Sequence, residues 1–348
     1  GRYPLALQYI DSAISILQPV TNQTDYAKLA QVYSTRAQVL HQQQRNDMAL
    51  EDYRKCADAY REGGDFYQAA VSRIDVAIAQ FRLGQYKESN ELLEKLAAYF
   101  KTYDDANNFG LCYSQIGQNY WNLSEYDKAI TAHLTAINKR QQAGNRSGEA
   151  FSWHQLGTLY QHAGKKTLAM KALDSAAVLY RILNRNSDLA DVLLALGKVY
   201  KNDRETEKAA DQYRLAANLL ANAGSQSGYA DALFELGLLK KSSDSKTAYA
   251  CFDSCRLLNL KNGRDADAAY ALMNLGDLEK NKGATQKGRA LYEQAKKLVQ
   301  QLNEPHALAH YYKSLGYDAN SNVQYDSALY FFSKALQVFD STDQEQAI

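Results

Sequence analysis

The chain has 348 residues, 46% hydrophobic and 23% charged, with 40 basic and 39 acidic side chains and a formal net charge of +1. That is the composition of a folded chain rather than a disordered one. The charges divide evenly between the halves (19 basic to 18 acidic, then 21 to 21), so no basic half exists to wrap a phosphate backbone and nucleic acid is not an expected partner. No apolar run is long enough to span a bilayer, although a longer parent protein can carry one outside this segment.

Only three prolines occur, Pro4, Pro19 and Pro305, and no Val/Ile/Thr run alternates with polar residues, so the chain reads as all-α. The N-terminal GRYPLALQYI mixes polar and apolar residues and does not read as a signal peptide. Residues 1–22, with Ala6, Tyr9, Ile10 and Ala13 on one stripe, read as the second helix of a truncated preceding unit.

From residue 23 a repeat takes over. A small residue recurs at Ala37, Ala77, Gly117, Gly157, Gly197, Gly237, Gly276 and Gly316, at intervals of 40, 40, 40, 40, 40, 39 and 40. A period this steady is an architecture. One residue earlier stands an aliphatic side chain in every unit but the first, where Arg36 breaks the column. Four earlier stand mostly large residues, with Arg73 the exception. Offsets of three and four lay these on one helical stripe, and the small residue lets a second helix come close.

Twelve residues on, a second small position recurs, from Ala49 to Ala328. Four beyond it lie Tyr53, Leu93, His133, Leu173, Tyr213, Phe252, Tyr292 and Phe332, the stripe of a second helix. A turn is expected at Gly64, Asp104, Gly144, Asn184, Gly224, Gly263 and Asn303, residue types that tolerate the left-handed region. Each unit is therefore helix, turn, helix, turn, and buries its stripes only by stacking on its neighbours.

The grammar of Trp153, Leu156, Gly157, Tyr160, Ala169 and Ala176 resembles the tetratricopeptide repeat family, although His133 and Leu173 depart from its usual aromatic and the period exceeds the commoner 34. The resemblance covers about Tyr26 to Asp340. It implies a right-handed α-α superhelix of eight units over residues 23–342, forming one continuous solenoid. Residues 343–348 read as the start of a further, truncated helix, and the whole as a segment of a longer protein. The 40-residue units are similar to the sensor regions of bacterial membrane-anchored regulators, with a histidine-kinase or helix-turn-helix output elsewhere. On that resemblance the periplasmic side is slightly favoured over the cytoplasm.

No nucleophile or phosphate-loop motif appears, so the segment reads as non-enzymatic, with no cofactor and no metal. Cys56, Cys112, Cys251 and Cys255 lack CxxC spacing and read as small buried thiols. His154 and His162 lie about 12 Å apart along a helix, too far to share a metal unaided. His306 and His310 have i, i+4 spacing but few companion ligands. Paired carboxylates such as Asp104 with Asp105, and Asp265 with Asp267, fall where helix starts are expected, and read as caps.

What remains is recognition of a protein or peptide. The resemblance puts the first helix of each unit on the concave face. There the columns offer Gln118, Trp121 and Asn122, then His154, Thr158, Gln161 and His162, then Lys198, Lys201 and Asn202. Trp121 can anchor a peptide or tuck into the seam between units. Ile74, Ile78 and Phe81 form an apolar inner patch, unless that helix is rotated to bury the isoleucines. The Lys and Asn columns of carboxylate-gripping family members are not reproduced in units one to three. A free-standing scaffold or peptide receptor is the alternative to a sensor segment.

Overall fold

The computed structural model describes residues 3–18, 20, 22–302, 305–321 and 323–346, which form 17 α-helices and no strand. Residues 1–183 make one compact unit and residues 184–348 a second. The first unit opens with α1 (Tyr3–Leu17). Four helix pairs follow: α2 (Gln23–Gln42) with α3 (Asn46–Glu62), α4 (Phe66–Arg82) with α5 (Tyr86–Thr102), α6 (Ala106–Asn122) with α7 (Tyr126–Gln142), and α8 (Arg146–His162) with α9 (Lys166–Ile182). The second unit pairs α10 (Asn186–Asn202) with α11 (Thr206–Asn222), α12 (Gln226–Lys240) with α13 (Ser245–Lys261), α14 (Asp265–Asn281) with α15 (Thr285–Leu302), and α16 (Pro305–Ser321) with α17 (Tyr325–Gln346). Helix α17 continues unbroken through residues 343–346, where the sequence reads as the start of a new helix; Ala347 and Ile348 lie outside the described residues.

The small column is explained by what faces it. A Cβ on Gly157 would lie 2.6 Å from Leu173 Cγ, and one on Gly276 would lie 2.6 Å from Tyr292 Cδ2. The second helix thus puts its large residue where the glycine has no side chain, which is the close approach the repeat requires. Packed this way, α6 touches both α4 and α8 in the first unit, and α14 touches α16 in the second, so successive first helices within each unit share a face.

The turns between repeats take the expected conformation. Gly64, Asp104, Gly144, Asn184, Gly224 and Gly263 all have positive φ, between 51° and 80°. Asn303, the remaining expected turn, lies outside the described residues. The turn inside each repeat uses the same device at Gln44, Gly84, Ser124, Gly164, Arg204, Gly283 and Val323. The sixth repeat has no such residue. Its turn from Lys240 to Ser245 is capped by Asp244, whose Oδ1 accepts from Thr247 N at 3.1 Å. One residue is lost there, which accounts for the single interval of 39.

Both column exceptions have local causes. Arg36 grips the buried Asp52 through Nε at 2.6 Å and Nη2 at 2.7 Å, and reaches Asp11 through Nη1 at 2.6 Å. A cation stands in an aliphatic column because a carboxylate of the next helix is buried opposite it. Arg73 turns to solvent and Ile74 goes inward, 2% exposed, into the core with Ala77, Leu93, Leu96 and Phe100. The apolar inner patch therefore does not form as Ile74, Ile78 and Phe81. Ile74 is core, Ile78 packs half-buried against that core, and Phe81 alone faces a cavity.

Asp105 caps α6 by accepting from Asn107 N and Asn108 N, while Asp104 holds the turn; Asp265 and Asp267 lie in the first turn of α14. All four cysteines are free and buried, and burial pushes the Cys112 and Cys255 thiols up to about 12. No helix of the described residues is long and apolar enough to cross a membrane.

Candidate functional site

The first unit holds a cavity of about 560 Å³ on its first-helix face. Phe81 reaches it from α4, Gln118, Trp121 and Asn122 from α6, and Gln155, Thr158, Leu159 and His162 from α8. One wall comes from a second helix, His133 of α7. Six of the residues expected on the inner face are thus brought together: Phe81, Gln118, Trp121, Asn122, Thr158 and His162. His154 and Gln161 sit on α8 outside the cavity wall, each half-buried.

Trp121 is the centre of an aromatic cluster. Its ring stands edge-on to His162 at 4.7 Å and to Tyr126 at 5.5 Å. It is neither sealed in the seam nor fully exposed, which leaves a rigid ring lining an open cavity. Asn122 Nδ2 donates to Gln118 O at 2.9 Å, and Thr158 Oγ1 donates to His154 O at 3.2 Å. No Lys, Arg, Asp or Glu lines the cavity, so its chemistry is aromatic surface plus amides and hydroxyls.

His133 stands in the large-residue column, and its ring fills the space a Cβ on Gly117 would need, 2.6 Å from Nε2. It is 2% exposed and Nδ1 has no hydrogen-bond partner. Burial, helped by the charge of Arg140, holds its pKa down to about 4, so the ring is neutral near neutral pH. Arg140, seven residues on along α7, is buried between α6 and α8. Its Nη1 lies 2.9 Å from Ser114 Oγ, 2.7 Å from Gly148 O and 2.7 Å from Ser152 Oγ, while Nε has no partner. Burial lowers its pKa to about 10. Gly110 and Gly148 make room for it, since a Cβ on either would meet its side chain within 2.8 Å. The interior of the third repeat is therefore polar where its neighbours carry Phe100 and Tyr180.

In the second unit Lys198 and Lys201 both turn to Glu235 of α12, at 3.7 and 3.2 Å, and Asn202 is exposed at the end of α10. These cations are tied to a carboxylate of their own unit. Among the described residues no group of three His, Cys, Asp or Glu side chains can hold a metal ion. The side chain of His306 lies outside the described residues, and His310 packs edge-on against Tyr270 at 4.6 Å.

The sequence reading missed His133, Gln155 and Leu159. His133 had a signal, its departure from the aromatic column. Gln155 and Leu159 lie outside the expected inner-face columns, and only the packed helix shows them at the cavity.

Residues 28–102 match the sequence model of the tetratricopeptide repeat. The chain is a tetratricopeptide-repeat protein. Residues 183–342 of this tetratricopeptide-repeat chain also match the model described as soluble NSF attachment protein. No curated protein matches it. Among solved structures it is similar to a Signal Transduction ATPase with Numerous Domains protein with a tetratricopeptide repeat sensor, from Pyrococcus horikoshii. The TM-score is 0.65 at 15% identity, over 95% of this chain and 53% of that one. It is similar also to aspartyl phosphate phosphatase F from Bacillus subtilis (TM-score 0.59, 14% identity, 79% of this chain and 72% of that one). A Rap protein complexed with Competence and Sporulation Factor gives TM-score 0.56 at 16% identity, over 83% of this chain and 79% of that one. At these identities the likeness is one of fold.

Proposed function

We propose that this tetratricopeptide-repeat chain is a non-catalytic recognition module whose first unit holds a peptide or protein segment in the cavity around Trp121. The observation that carries the reading is an open cavity of about 560 Å³ walled by Trp121, His162 and Phe81 and rimmed by amides. Rigid aromatic anchors with adjustable hydrogen-bonding neighbours are what peptide grooves use. The similar Rap protein is complexed with Competence and Sporulation Factor, which supports the same class of ligand here. The likeness to a protein with a tetratricopeptide repeat sensor, of which this chain spans about half, supports a place as the sensing segment of a larger regulator. The periplasmic assignment belongs to that reading. A second reading, a scaffold that assembles a protein complex, draws on the soluble NSF attachment protein match over residues 183–342.

The test is a peptide-array screen with the labelled chain, repeated with Trp121→Ala. Trp121 is half-buried and outside the main core, so the variant folds. Loss of the captured peptides by tenfold or more in affinity is the expected result. Capture that is unchanged in Trp121→Ala moves the binding site off this cavity.

A further inference from the structure

Between consecutive second helices runs a seam, and two columns of the first helix beneath it supply the filling. In the fourth repeat Trp153 and Tyr160 of α8 pack there with Ile137 of α7 and Ala172 of α9. In the third, Tyr113 and Tyr120 of α6 pack against the cluster that holds Leu96 of α5 and Ala132 of α7. In the second repeat the same two columns carry Arg73 and Gln80. Neither replaces an aromatic ring, and the seam between α3 and α5 is hollow. Two cavities, of about 440 and 320 Å³, adjoin along it and share Asp58, Arg73, Leu92 and Lys95 in their walls.

The hollow is polarised along its length. One end is apolar, walled by Phe66, Ala69, Ala70, Leu96 and Tyr99. The other holds Gln80, Glu88 and Glu91, with Arg54 as its one cation. At the waist between them stand Arg73 and Lys95. Asp58 there already pairs with Arg61 at 3.0 Å, whereas Arg73, Lys95, Glu88 and Glu91 form no ion pair. Gln80 is 9% exposed, and its Oε1 is buried without a hydrogen-bond partner. A bound donor would remove that deficit.

We infer that the α3–α4–α5 seam is a second binding site, for a free amino acid with an aromatic side chain. The ring lies in the apolar end and takes the place of the missing aromatic column. The carboxylate meets Arg73 and Lys95 at the waist, where the guanidinium offers a two-point grip. The ammonium turns to Glu88 and Glu91 and donates to Gln80 Oε1, which a rotation of the amide presents. Unpaired charges of both signs, held apart along one groove, select a zwitterion over an acid or an amine alone. The volume is that of a small-molecule site. The seam lies on the second-helix side and shares no residue with the Trp121 cavity, so each site stands or falls alone.

The test is isothermal titration calorimetry on the full chain with three probes. L-phenylalanine carries all three groups, phenethylamine lacks the carboxylate, and phenylpropionate lacks the ammonium. The expected result is saturable binding of L-phenylalanine, weakened about tenfold in either analogue and about tenfold by Arg73→Met. Arg73 is exposed, so that variant keeps the fold. Arg73→Trp combined with Gln80→Tyr installs the residues that fill the fourth repeat, and abolishes binding. Lys171→Ala, exposed on α9 in the already filled fourth repeat, leaves the affinity within about twofold. Circular dichroism of each variant checks that the fold is kept. No saturable heat up to about 10 mM L-phenylalanine, an analogue that binds as tightly as the amino acid, or unchanged affinity in Arg73→Met or in the folded double variant would each overturn the inference.

Discussion

His133→Phe should stabilise the first unit, and by an amount that grows as the pH falls. In the native chain the ring is buried, neutral and lacks a partner at Nδ1, with a pKa held near 4. An unfolded histidine titrates near ~6.5. Between these values the unfolded chain binds a proton that the folded chain refuses, so stability falls as pH drops through 6.5 and levels off below 4. The loss between pH 7.5 and pH 4.5 is roughly 2.5 kcal/mol. Phenylalanine has no proton to bind. It also fits, because Phe252 and Phe332 occupy the same column against Gly237 and Gly316 at spacings like that of His133 against Gly117. At pH 7.5 the gain is about 1 kcal/mol, from removing an unsatisfied buried nitrogen. The assay is urea unfolding at several pH values, followed by tryptophan fluorescence excited at the red edge, where the tyrosines of both units do not absorb. Both tryptophans, Trp121 and Trp153, lie in the first unit, so the signal reports that unit alone. His310 also has a lowered pKa, but it is common to both proteins and cancels in the difference. Stability curves of the two proteins that run parallel from pH 7.5 to 4.5 would refute the reasoning.

Gly157→Val should cost the first unit more than about 2 kcal/mol, because the new side chain meets Leu173 across the helix pair, and the urea midpoint will show it. Gln44→Gly should raise the unfolding midpoint, gaining about 0.5–1 kcal/mol; Gln44 has φ 61° where Gly84 and Gly164 hold the equivalent turn. Asp52→Ala should lose about 1–3 kcal/mol, because the part-buried Arg36 is left with only the exposed Asp11, whereas pairing it with Arg36→Leu should recover most of that in thermal denaturation.

The fold was legible because the repeat multiplies every signal. A small residue opposite a large one means little once, but eight occurrences at a nearly fixed interval define a helix pair and its turn. The turns between repeats were legible for the same reason, since Gly64, Asp104 and Gly144 are residue types that advertise positive φ. The turns inside repeats were not, because Gln44, Ser124, Arg204 and Val323 advertise nothing, and the packing of the flanking helices imposes their conformation. At the candidate site the columns put Trp121 and His162 on one face correctly. They left Ile74 open between the inner face and the core, and its burial with Leu93 and Phe100 is settled only by the packed helices. They tied Lys198 and Lys201 to the binding face without their partner, since Glu235 is 34 residues from Lys201 and meets it only through helix stacking.

The turn positions inside the repeats offer a practical handle. Gln, Gly, Ser, Arg and Val all take the same backbone conformation there, so the side chain at these points carries no structural instruction. All four native thiols are buried and resist ionisation. Cysteines introduced at Gln44 and Ser124 would therefore be the thiols that react, two repeats apart from each other with four helices between them. A pair of dyes placed there turns the spacing of repeats in the first unit into a ruler, against which any ligand-driven opening or tightening of the stack can be read in solution.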